Sequence, residues 1–169
     1  MALLFNRRGD DIQTTEEVLK AAVGSLHGDK AITLLLNRGG GNIQITEEVL
    51  KAAVGSYYPN SRVVALLLDR GGDSIQIIEE VFKVAAGNSY GNEVIVLLLN
   101  RRGDDTQITE EVLKAAAGSL NGDKVIALLL DRRGDDIQVI EEVLKAVAGN
   151  WHCGYEVMAL LLDQRGDDI

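Results

Sequence analysis

The sequence predicts an all-α solenoid of stacked helix pairs, and three observations carry this prediction. The string Glu-Glu-Val and a run of three leucines each recur at intervals of 31 or 32 residues along the 169-residue chain, which is typical of a repeat architecture. Leucine and alanine dominate, whereas aromatic residues make up 4% and proline occurs once, and this composition favours helices over strands. Each repeat has room for two helices of about ten residues, which would be unstable alone in water and must therefore stack.

Five copies of the repeat, numbered one to five, cover residues 12–42, 43–74, 75–105, 106–136 and 137–168. Residues 1–11 match residues 158–168 in phase, so they form an N-terminal half-repeat, a second helix without its first. We expect a single array over residues 1–169 with one shared core. Both ends should expose the apolar surface that an internal copy buries, so we also expect a segment of a longer array and end-to-end self-association.

The first helix of each copy is predicted from its charged start. In copy two Thr46 stands at the N-cap, where its side chain can accept a hydrogen bond from an unpaired backbone N–H. Glu47 and Glu48 follow in the first turn, where the helix dipole favours negative charge. Glu47 and Lys51 form an i, i+4 pair that every copy repeats. Gly55 occupies the position after the helix, where a C′ glycine is expected.

Two features modify this helix start from copy to copy. In copy two Ile45 and Leu50 are spaced as a hydrophobic staple on either side of the cap, and Ile108 and Leu113 repeat this pairing in copy four. Copies three and five carry Ile78 and Ile140 where the capping threonine stands in the others. We expect these two helix starts to be weaker by roughly 1 kcal/mol each.

The second helix, RVVALLLDR in copy two, places Val63, Leu66 and Leu67 at the i, i+3, i+4 spacing of one apolar face. A glycine follows every leucine triplet by four residues, and we expect it to adopt the left-handed turn that ends this helix. These glycines are Gly40, Gly72, Gly103, Gly134 and Gly166, with Gly9 in the half-repeat.

The tripeptide Arg-Gly-Asp, known as a cell-adhesion signal, occurs at residues 8–10, 102–104, 133–135 and 165–167. Copies one and two carry Gly-Gly-Gly and Gly-Gly-Asp at the same place, so we interpret the tripeptide as a helix end and not as an adhesion motif. The connector that follows is expected to be extended without forming a sheet. Helix pairs separate successive copies by roughly 10 Å, whereas strand pairing needs about 4.8 Å.

Composition and charge exclude several classes of protein. A net charge of −9 disfavours nucleic acid and anionic membranes as partners. No apolar run approaches the ~20 residues that cross a bilayer, and the start lacks the charged region of a signal peptide. Cys153 is the single cysteine and has no partner for an internal disulfide, which fits a reducing compartment. We therefore expect a soluble, cytoplasmic protein.

The turn between the two helices of a copy varies most. Its five versions are SLHGDK, SYYPNSR, NSYGNE, SLNGDK and NWHCGYE, and they hold all four tyrosines, the only tryptophan and both histidines. Tyrosine and tryptophan are rigid amphipathic anchors in binding sites, so the turns are the predicted binding surface. Its candidate residues are Tyr57, Tyr58, Tyr90, Trp151, His152 and Tyr155.

Two other interpretations of these positions stay open. The sequences of exposed turns could simply vary without a functional reason, with bulky residues covering the edge of the solenoid. Alternatively, binding could use the opposite edge, where the connector arginines stand: Arg101, Arg102, Arg132 and Arg133.

Catalytic and metal-binding chemistry is not indicated by the sequence. His27 and His152 lie four copies apart, too far to share a site at ~10 Å per copy. His152 and Cys153 are adjacent but lack the further ligands of a zinc site. The glutamate pairs recur with a compensating lysine and indicate a solvated face. We expect no enzyme, no cofactor and no metal.

The unit resembles two known kinds of repeat. The stretch EVIVLLLNRRGDDTQ of copy three resembles the second helix and following turn of ankyrin repeats, although Thr-Glu-Glu-Val replaces the Thr-Pro-Leu-His of that family. The whole unit, ITEEVLKAAAG followed by VIALLLDRRGDDIQ, resembles the ankyrin-like arrays attached to fungal NACHT-domain (NOD-like) receptors. The resemblance implies an ankyrin-like α-solenoid that senses a ligand, while a separate nucleotide-binding domain signals.

We therefore expect a non-catalytic binding module for a protein or peptide ligand, as the sensor segment of a larger intracellular immune-type receptor. The alternative is a structural or engineered repeat scaffold with no natural ligand, which near-identical copies would also suit.

Overall fold

A computed structural model describes residues 14–38, 43–72, 79–102, 108–133 and 141–163. Ten α-helices and no strand occupy this part of the chain, two helices in each copy. They are α1 (Glu16–Val23), α2 (Gly28–Arg38), α3 (Glu47–Val54), α4 (Ser61–Gly71), α5 (Glu79–Gly87), α6 (Asn92–Arg102), α7 (Glu110–Gly118), α8 (Gly122–Arg133), α9 (Glu141–Ala148) and α10 (Gly154–Asp163). The fold is thus the all-α helical-repeat solenoid that the sequence predicts. The predicted half-repeat, residues 1–11, lies outside the described residues.

The helices fall into two compact units, α1–α4 and α5–α10. In the first unit α1 packs against α2 and α3, while α4 packs against α2 and α3. In the second unit the first helices α5, α7 and α9 pack in series, and so do the second helices α6, α8 and α10. Within each unit a helix therefore contacts both the partner in its own copy and its counterpart in the next copy, as a stacked repeat requires.

The first helices of copies two, three and four bury the same four positions. In copy two these are Val49, Leu50, Ala53 and Val54, all at most 2% exposed. Burial of each large aliphatic side chain contributes about 1.5–3 kcal/mol. The same positions of copies three and four are also buried, so the repeated apolar pattern builds a repeated core.

The second helices bury a face that is shifted from the prediction. In copy two Val63, Val64, Leu67 and Leu68 are buried, whereas Leu66 is only half-buried. At 3.6 residues per turn, Leu66 lies about 130° from the centre of that face. The prediction was therefore right for Val63 and Leu67 and wrong for Leu66. The buried face packs against both the partner helix of its own copy and a helix of the next copy. It therefore contains two adjacent residues in each turn, at positions i, i+1, i+4 and i+5.

Threonine caps three first helices. Thr15, Thr46 and Thr109 have extended backbones, and each Oγ1 accepts a hydrogen bond of 3.4 Å from the backbone N–H three residues later. The predicted cap at Thr46 is confirmed, and Ile108 and Leu113 of the proposed staple are both buried. Ile78 and Ile140 lie outside the described residues, so the weaker helix starts of copies three and five stay a prediction.

The two kinds of helix end use glycine differently. Gly55 follows α3 with φ −86° and ψ −3°, and its N–H donates to the carbonyl of Lys51 at 2.9 Å. This right-handed conformation is open to any residue, so the expectation of a C′ glycine there was wrong. Gly72 follows α4 with φ 51° and ψ −144°, a region essentially restricted to glycine. The left-handed turn predicted after the second helix is therefore confirmed at Gly72 only in its positive φ, because a ψ of −144° lies outside the left-handed helical region. The equivalent glycines lie outside the described residues.

Candidate functional site

The turn between the two helices of a copy is a hydrogen-bonded structure and not a loose loop. In copy three the N–H of Asn88 donates to the carbonyl of Ala85 at 3.2 Å, and the N–H of Gly91 donates to the carbonyl of Asn88 at 2.9 Å. The Asn88 side chain also accepts from the N–H of Tyr90 at 3.0 Å. Copies one, four and five repeat the two backbone bonds. The side chains on these turns therefore stand on a defined backbone.

A glycine permits this tight turn. A Cβ at Gly91 or Gly122 would collide with the carbonyl oxygen of Ala85 or Ala116, respectively, in the preceding helix. Gly28 and Gly154 hold the same place in copies one and five, with a carbonyl oxygen 2.9 and 2.6 Å from a built Cβ. In copy two Asn60 stands there instead, and the turn is one residue longer than in copy one. Sequence reasoning did not single out these glycines, although their recurrence before the second helix could have done so.

Asparagine side chains tie successive turns of the second unit together. Asn121 Nδ2 of copy four donates to the carbonyl of Ser89 in copy three at 2.5 Å. Asn150 Nδ2 of copy five donates to the carbonyls of Ala117 and Ser119 in copy four at 2.6 and 3.0 Å. These hydrogen bonds therefore link the turns of copies three, four and five.

Asn150 also shapes its own turn. Its Oδ1 accepts from the N–H of His152 at 2.9 Å and from the N–H of Cys153 at 3.3 Å. Cys153 is buried below it, with Sγ 3.5 Å from the carbonyl of Ser119. Trp151 lies between these anchored residues, so its backbone is held while its side chain projects outward.

In the first unit the turns of copies one and two present three large apolar side chains to solvent. Leu26, Tyr57 and Tyr58 are 90%, 75% and 64% exposed. The two tyrosine rings meet edge to face, with centroids 4.6 Å apart. A cleft of about 320 Å³ lies between the two turns, with Leu26 and both tyrosines among its lining residues. This is an apolar surface with a recess.

In the second unit the turns of copies three to five present a similar set. Trp151 and Tyr155 are 89% and 84% exposed, and Leu120 and Tyr90 are about half exposed. His152 is also exposed, and its ring meets that of Trp151 edge to face at 4.9 Å. Tyr155 stands in the first turn of α10. We call the exposed side chains of both units (Leu26, Tyr57, Tyr58, Tyr90, Leu120, Trp151, His152 and Tyr155) the turn surface.

All six candidate residues of the sequence analysis are exposed on the turns or directly after them, and the structure adds Leu26 and Leu120 to them. These two leucines were missed because only aromatic residues were considered. Leu26, Tyr57, Leu120 and Trp151 hold the same second position of their turns. That position is therefore large and apolar in four of the five copies, a signal that the sequence already contained.

The opposite edge uses arginine to join copies. Arg70 at the end of α4 donates to the carbonyl of Leu36 at 3.1 Å and to Asn37 Oδ1 at 3.0 Å. Arg132 likewise donates to Asn100 Oδ1 at 3.1 Å. Both arginines thus link the end of one second helix to that of the preceding copy. The other connector arginines are Arg101, which is exposed, and Arg102 and Arg133, whose side chains lie outside the described residues.

In copies one, two, four and five the two glutamates at the start of the first helix share one lysine. Lys20 Nζ lies 2.8 Å from Glu16 and 3.2 Å from Glu17, and the pKa of Glu16 is lowered by its hydrogen bonds, first from Lys20 and then from Thr46. In copy three Lys83 reaches Glu80 at 3.8 Å and Glu111 of the next copy at 3.6 Å. On this exposed face the lysines thus offset the charges of the glutamates, and we call these side chains the glutamate–lysine ladder.

Within the part of the chain that the structure describes, no group of three or more histidine, cysteine or acidic side chains is placed to hold a metal ion. The same residues include no helix with the length and apolar character needed to span a membrane.

These features define a helical-repeat protein whose short turns carry exposed aromatic and aliphatic side chains on a rigid backbone. A family model described as a domain of unknown function (DUF7104) matches residues 3–30, 34–59, 66–94, 97–125 and 128–158, and the chain belongs to this family. The last four matched segments each begin at the first leucine of a triplet in a second helix. No curated protein and no solved structure matches the chain.

Proposed function

We propose that this chain is a non-catalytic recognition module that binds a protein or peptide ligand through the turn surface. The observation that carries the proposal is the exposure of Trp151, at 89%, on a turn whose backbone Asn150 holds in place. Burying a side chain of this size against a partner contributes on the order of 1.5–3 kcal/mol. Because the turn is already ordered, little conformational entropy is lost on binding.

The first unit supports the same proposal independently. Tyr57 and Tyr58 form an edge-to-face pair beside the cleft between the turns of copies one and two. Exposed aromatic anchors next to a recess are the arrangement in which interface hot spots are found. A peptide ligand would place an apolar side chain in the cleft and pack its backbone against the tyrosine rings.

A displayed random-peptide library tests the proposal. Peptides enriched on the wild-type chain should lose binding when Tyr57, Tyr58 and Trp151 are all replaced with alanine, while circular dichroism shows unchanged helicity. The matched control replaces Arg101 and Arg132 of the opposite edge with glutamine and should retain binding. Peptides that bind the aromatic variant as well as the wild type, or that lose binding only in the arginine variant, would move the site to the opposite edge.

We infer further that the module is ankyrin-like and is the ligand-sensing segment of a larger, intracellular, cytoplasmic immune-type receptor. The support is the resemblance of the unit to arrays attached to fungal NACHT-domain receptors, together with a single cysteine that is buried and has no partner for an internal disulfide. A nucleotide-binding domain encoded in the same open reading frame as these repeats would support this inference. A frame that encodes repeats alone would contradict it.

A structural or engineered scaffold is the second candidate function. The identity of α1 and α3, both EEVLKAAV, favours it, because copies selected only to stack have no reason to diverge. The divergence of the turns argues for recognition instead. A library selection that yields no peptide dependent on the turn surface would favour the scaffold.

A further inference from the structure

Copies one and two, and copies four and five, form two pairs of neighbours that are matched in the sequence of their turns. The turns of copies one and four are SLHGDK and SLNGDK, which differ at one residue. The turns of copies two and five, SYYPNSR and NWHCGYE, have the same length. In both of these longer turns the second and third residues form an edge-to-face ring pair, with centroids 4.6 and 4.9 Å apart. A difference between the two pairs of copies can therefore be assigned to particular residues.

In copies four and five an asparagine joins the two turns. Asn150 is the first residue of the turn in copy five. Its single nitrogen Nδ2 donates to the carbonyl of Ala117 at 2.6 Å and to the carbonyl of Ser119 at 3.0 Å. One nitrogen can make both bonds because a primary amide carries two hydrogens.

In copies one and two this connection is missing. Ser56 stands at the position of Asn150, and its hydroxyl donates to the carbonyl of Ala53 in its own first helix at 2.9 Å. The counterparts of the two acceptor residues are Val23 and Ser25 of copy one. Within the described part of the first unit, no side chain donates to either of their carbonyls. Two backbone acceptors that an asparagine bridges in the second unit thus have no such donor in the first.

The cleft between the turns of copies one and two lies where the asparagine is missing. Val23, Ser25 and Ser56 are all among the residues that line it. Its volume of about 320 Å³ falls within the range of ligand pockets, which is roughly 300–1,000 Å³. None of the described residues that line it is acidic, so a buried cation would find no opposite charge there.

We propose that this cleft binds a peptide ligand through the primary amide of an asparagine or glutamine side chain. The amide nitrogen donates to the carbonyls of Val23 and Ser25, as Asn150 does to their counterparts. An apolar neighbour in the peptide packs on the rings of Tyr57 and Tyr58. A backbone N–H of the peptide would supply only one hydrogen for the two acceptors, and a lysine or arginine would bury an unpaired charge. The inference rests on the proposed recognition through the turn surface and names the chemical group that this surface recognises.

The variant Ser56→Asn tests the inference on the protein. It places an asparagine at the position of Asn150, in a turn of the same length, so the variant's own amide should bond to the two carbonyls and fill the cleft. The probes are peptides from the displayed library that require Tyr57 and Tyr58 for binding to the wild type. They should bind the variant more than about tenfold more weakly, because their acceptors are already bonded. The urea midpoint of the variant should rise, since the new side chain links two copies.

Ser61→Asn is the matched control for this variant. It adds the same side chain five residues later, outside the described lining of the cleft. The counterpart of Ser61 in copy five is Tyr155, so the position accepts a larger side chain. The control should bind the peptides like the wild type. Equal binding by Ser56→Asn and the wild type, weaker binding without a higher urea midpoint, or equal losses in both variants would overturn the inference.

Synthetic versions of the selected peptides test the ligand. They should share an asparagine or glutamine, and its replacement with aspartate or glutamate, respectively, should weaken binding by about tenfold or more, because the shape is kept while both N–H donors are lost. Peptides that lack an amide side chain or tolerate its replacement would overturn the inference, although their dependence on Tyr57 and Tyr58 would still support recognition through the turn surface. A library that yields only peptides dependent on Trp151 would have the same meaning. A library that yields no peptide dependent on any of these three residues would overturn both proposals.

Discussion

The hydroxyl of Thr46 donates a hydrogen bond of 2.9 Å to the carboxylate of Glu16, at the start of the preceding copy's first helix. The same oxygen accepts from the N–H of Val49 at 3.4 Å. One threonine therefore caps its own helix and ties it to the neighbouring copy. Thr109 and Glu79 repeat the bond at 2.6 Å in the second unit, so capping and stacking depend on the same side chain.

Replacing Thr46 with valine should lower the free energy of unfolding by about 1–2 kcal/mol. The substitution keeps the shape of the side chain but removes a helix cap and a hydrogen bond to a charged group. Urea unfolding followed by circular dichroism measures the loss. Thr46→Ser is the matched control, because serine keeps the hydroxyl and should stay close to the wild type. A valine variant as stable as the serine variant would show that neither bond matters.

Gly122→Ala should destabilise the protein, by about 1–3 kcal/mol, because its Cβ would press on the backbone carbonyl of Ala116, which cannot move aside. Gly118→Ala lies four residues earlier and is the matched control. A Cβ at Gly118 meets nothing within 4 Å, and alanine at this last helical residue should be neutral or stabilising by up to about 1 kcal/mol. The thermal unfolding midpoints of the two variants should therefore shift in opposite directions from the wild type or differ clearly from each other. Equal shifts would contradict the tight turn.

Asn150→Ala should loosen the turn of copy five and cost about 1–3 kcal/mol, because it removes bonds to two carbonyls of copy four and from two N–H groups of its own turn. Trp151, the only tryptophan, reports this directly, and its fluorescence anisotropy should fall. Asn121→Ala, which removes the bond to the Ser89 carbonyl, should cost about 1 kcal/mol and leave the anisotropy unchanged. Unchanged anisotropy in Asn150→Ala would refute the positioning role.

Acid should destabilise the fold through the glutamate–lysine ladder. Hydrogen bonds from lysine lower the pKa of Glu16, Glu111 and Glu142 below the ordinary value of 4.5. A lowered pKa contributes stability that is present above the ordinary value and is lost as pH falls through the lowered one. Urea unfolding at pH 7 and at about pH 3.5 should therefore show a lower midpoint in acid.

Lys114→Met provides the control for this acid effect. Without Lys114, the main cause of the lowered pKa at Glu111 is removed, so the variant should be less stable than the wild type at neutral pH. The difference between the two proteins should shrink in acid, where Glu111 is protonated in both. A difference that stays constant with pH would assign the effect to packing of the lysine side chain.

Much of the fold could be predicted because its signals are local. The cap at Thr46, the acidic first turn and the positive φ at Gly72 each depend on residues within a few positions of one another. The exposure of Trp151 and Tyr57 could also be predicted, because the turns vary while the helices do not. Leu26 and Leu120 could have been found by comparing the same turn position across copies.

Other features required the stacked structure. The half-burial of Leu66 depends on where the next copy packs, since the i, i+3, i+4 pattern alone does not locate the centre of the buried face. At Gly55 the sequence was misleading. A glycine directly after a predicted helix suggested a C′ position, but its backbone adopts a right-handed conformation that any residue can adopt.

The sequence by itself determined a helical repeat of 31 or 32 residues, the two helices of each copy and the edge on which the aromatic side chains lie. Only the tertiary structure decided that Thr46 reaches Glu16, that Arg70 reaches Asn37 and that Asn150 reaches Ala117 and Ser119. Each of these pairs is about one repeat apart along the chain. Their contact depends on the offset between stacked copies, which packing of the buried faces sets and which no local pattern of residues specifies.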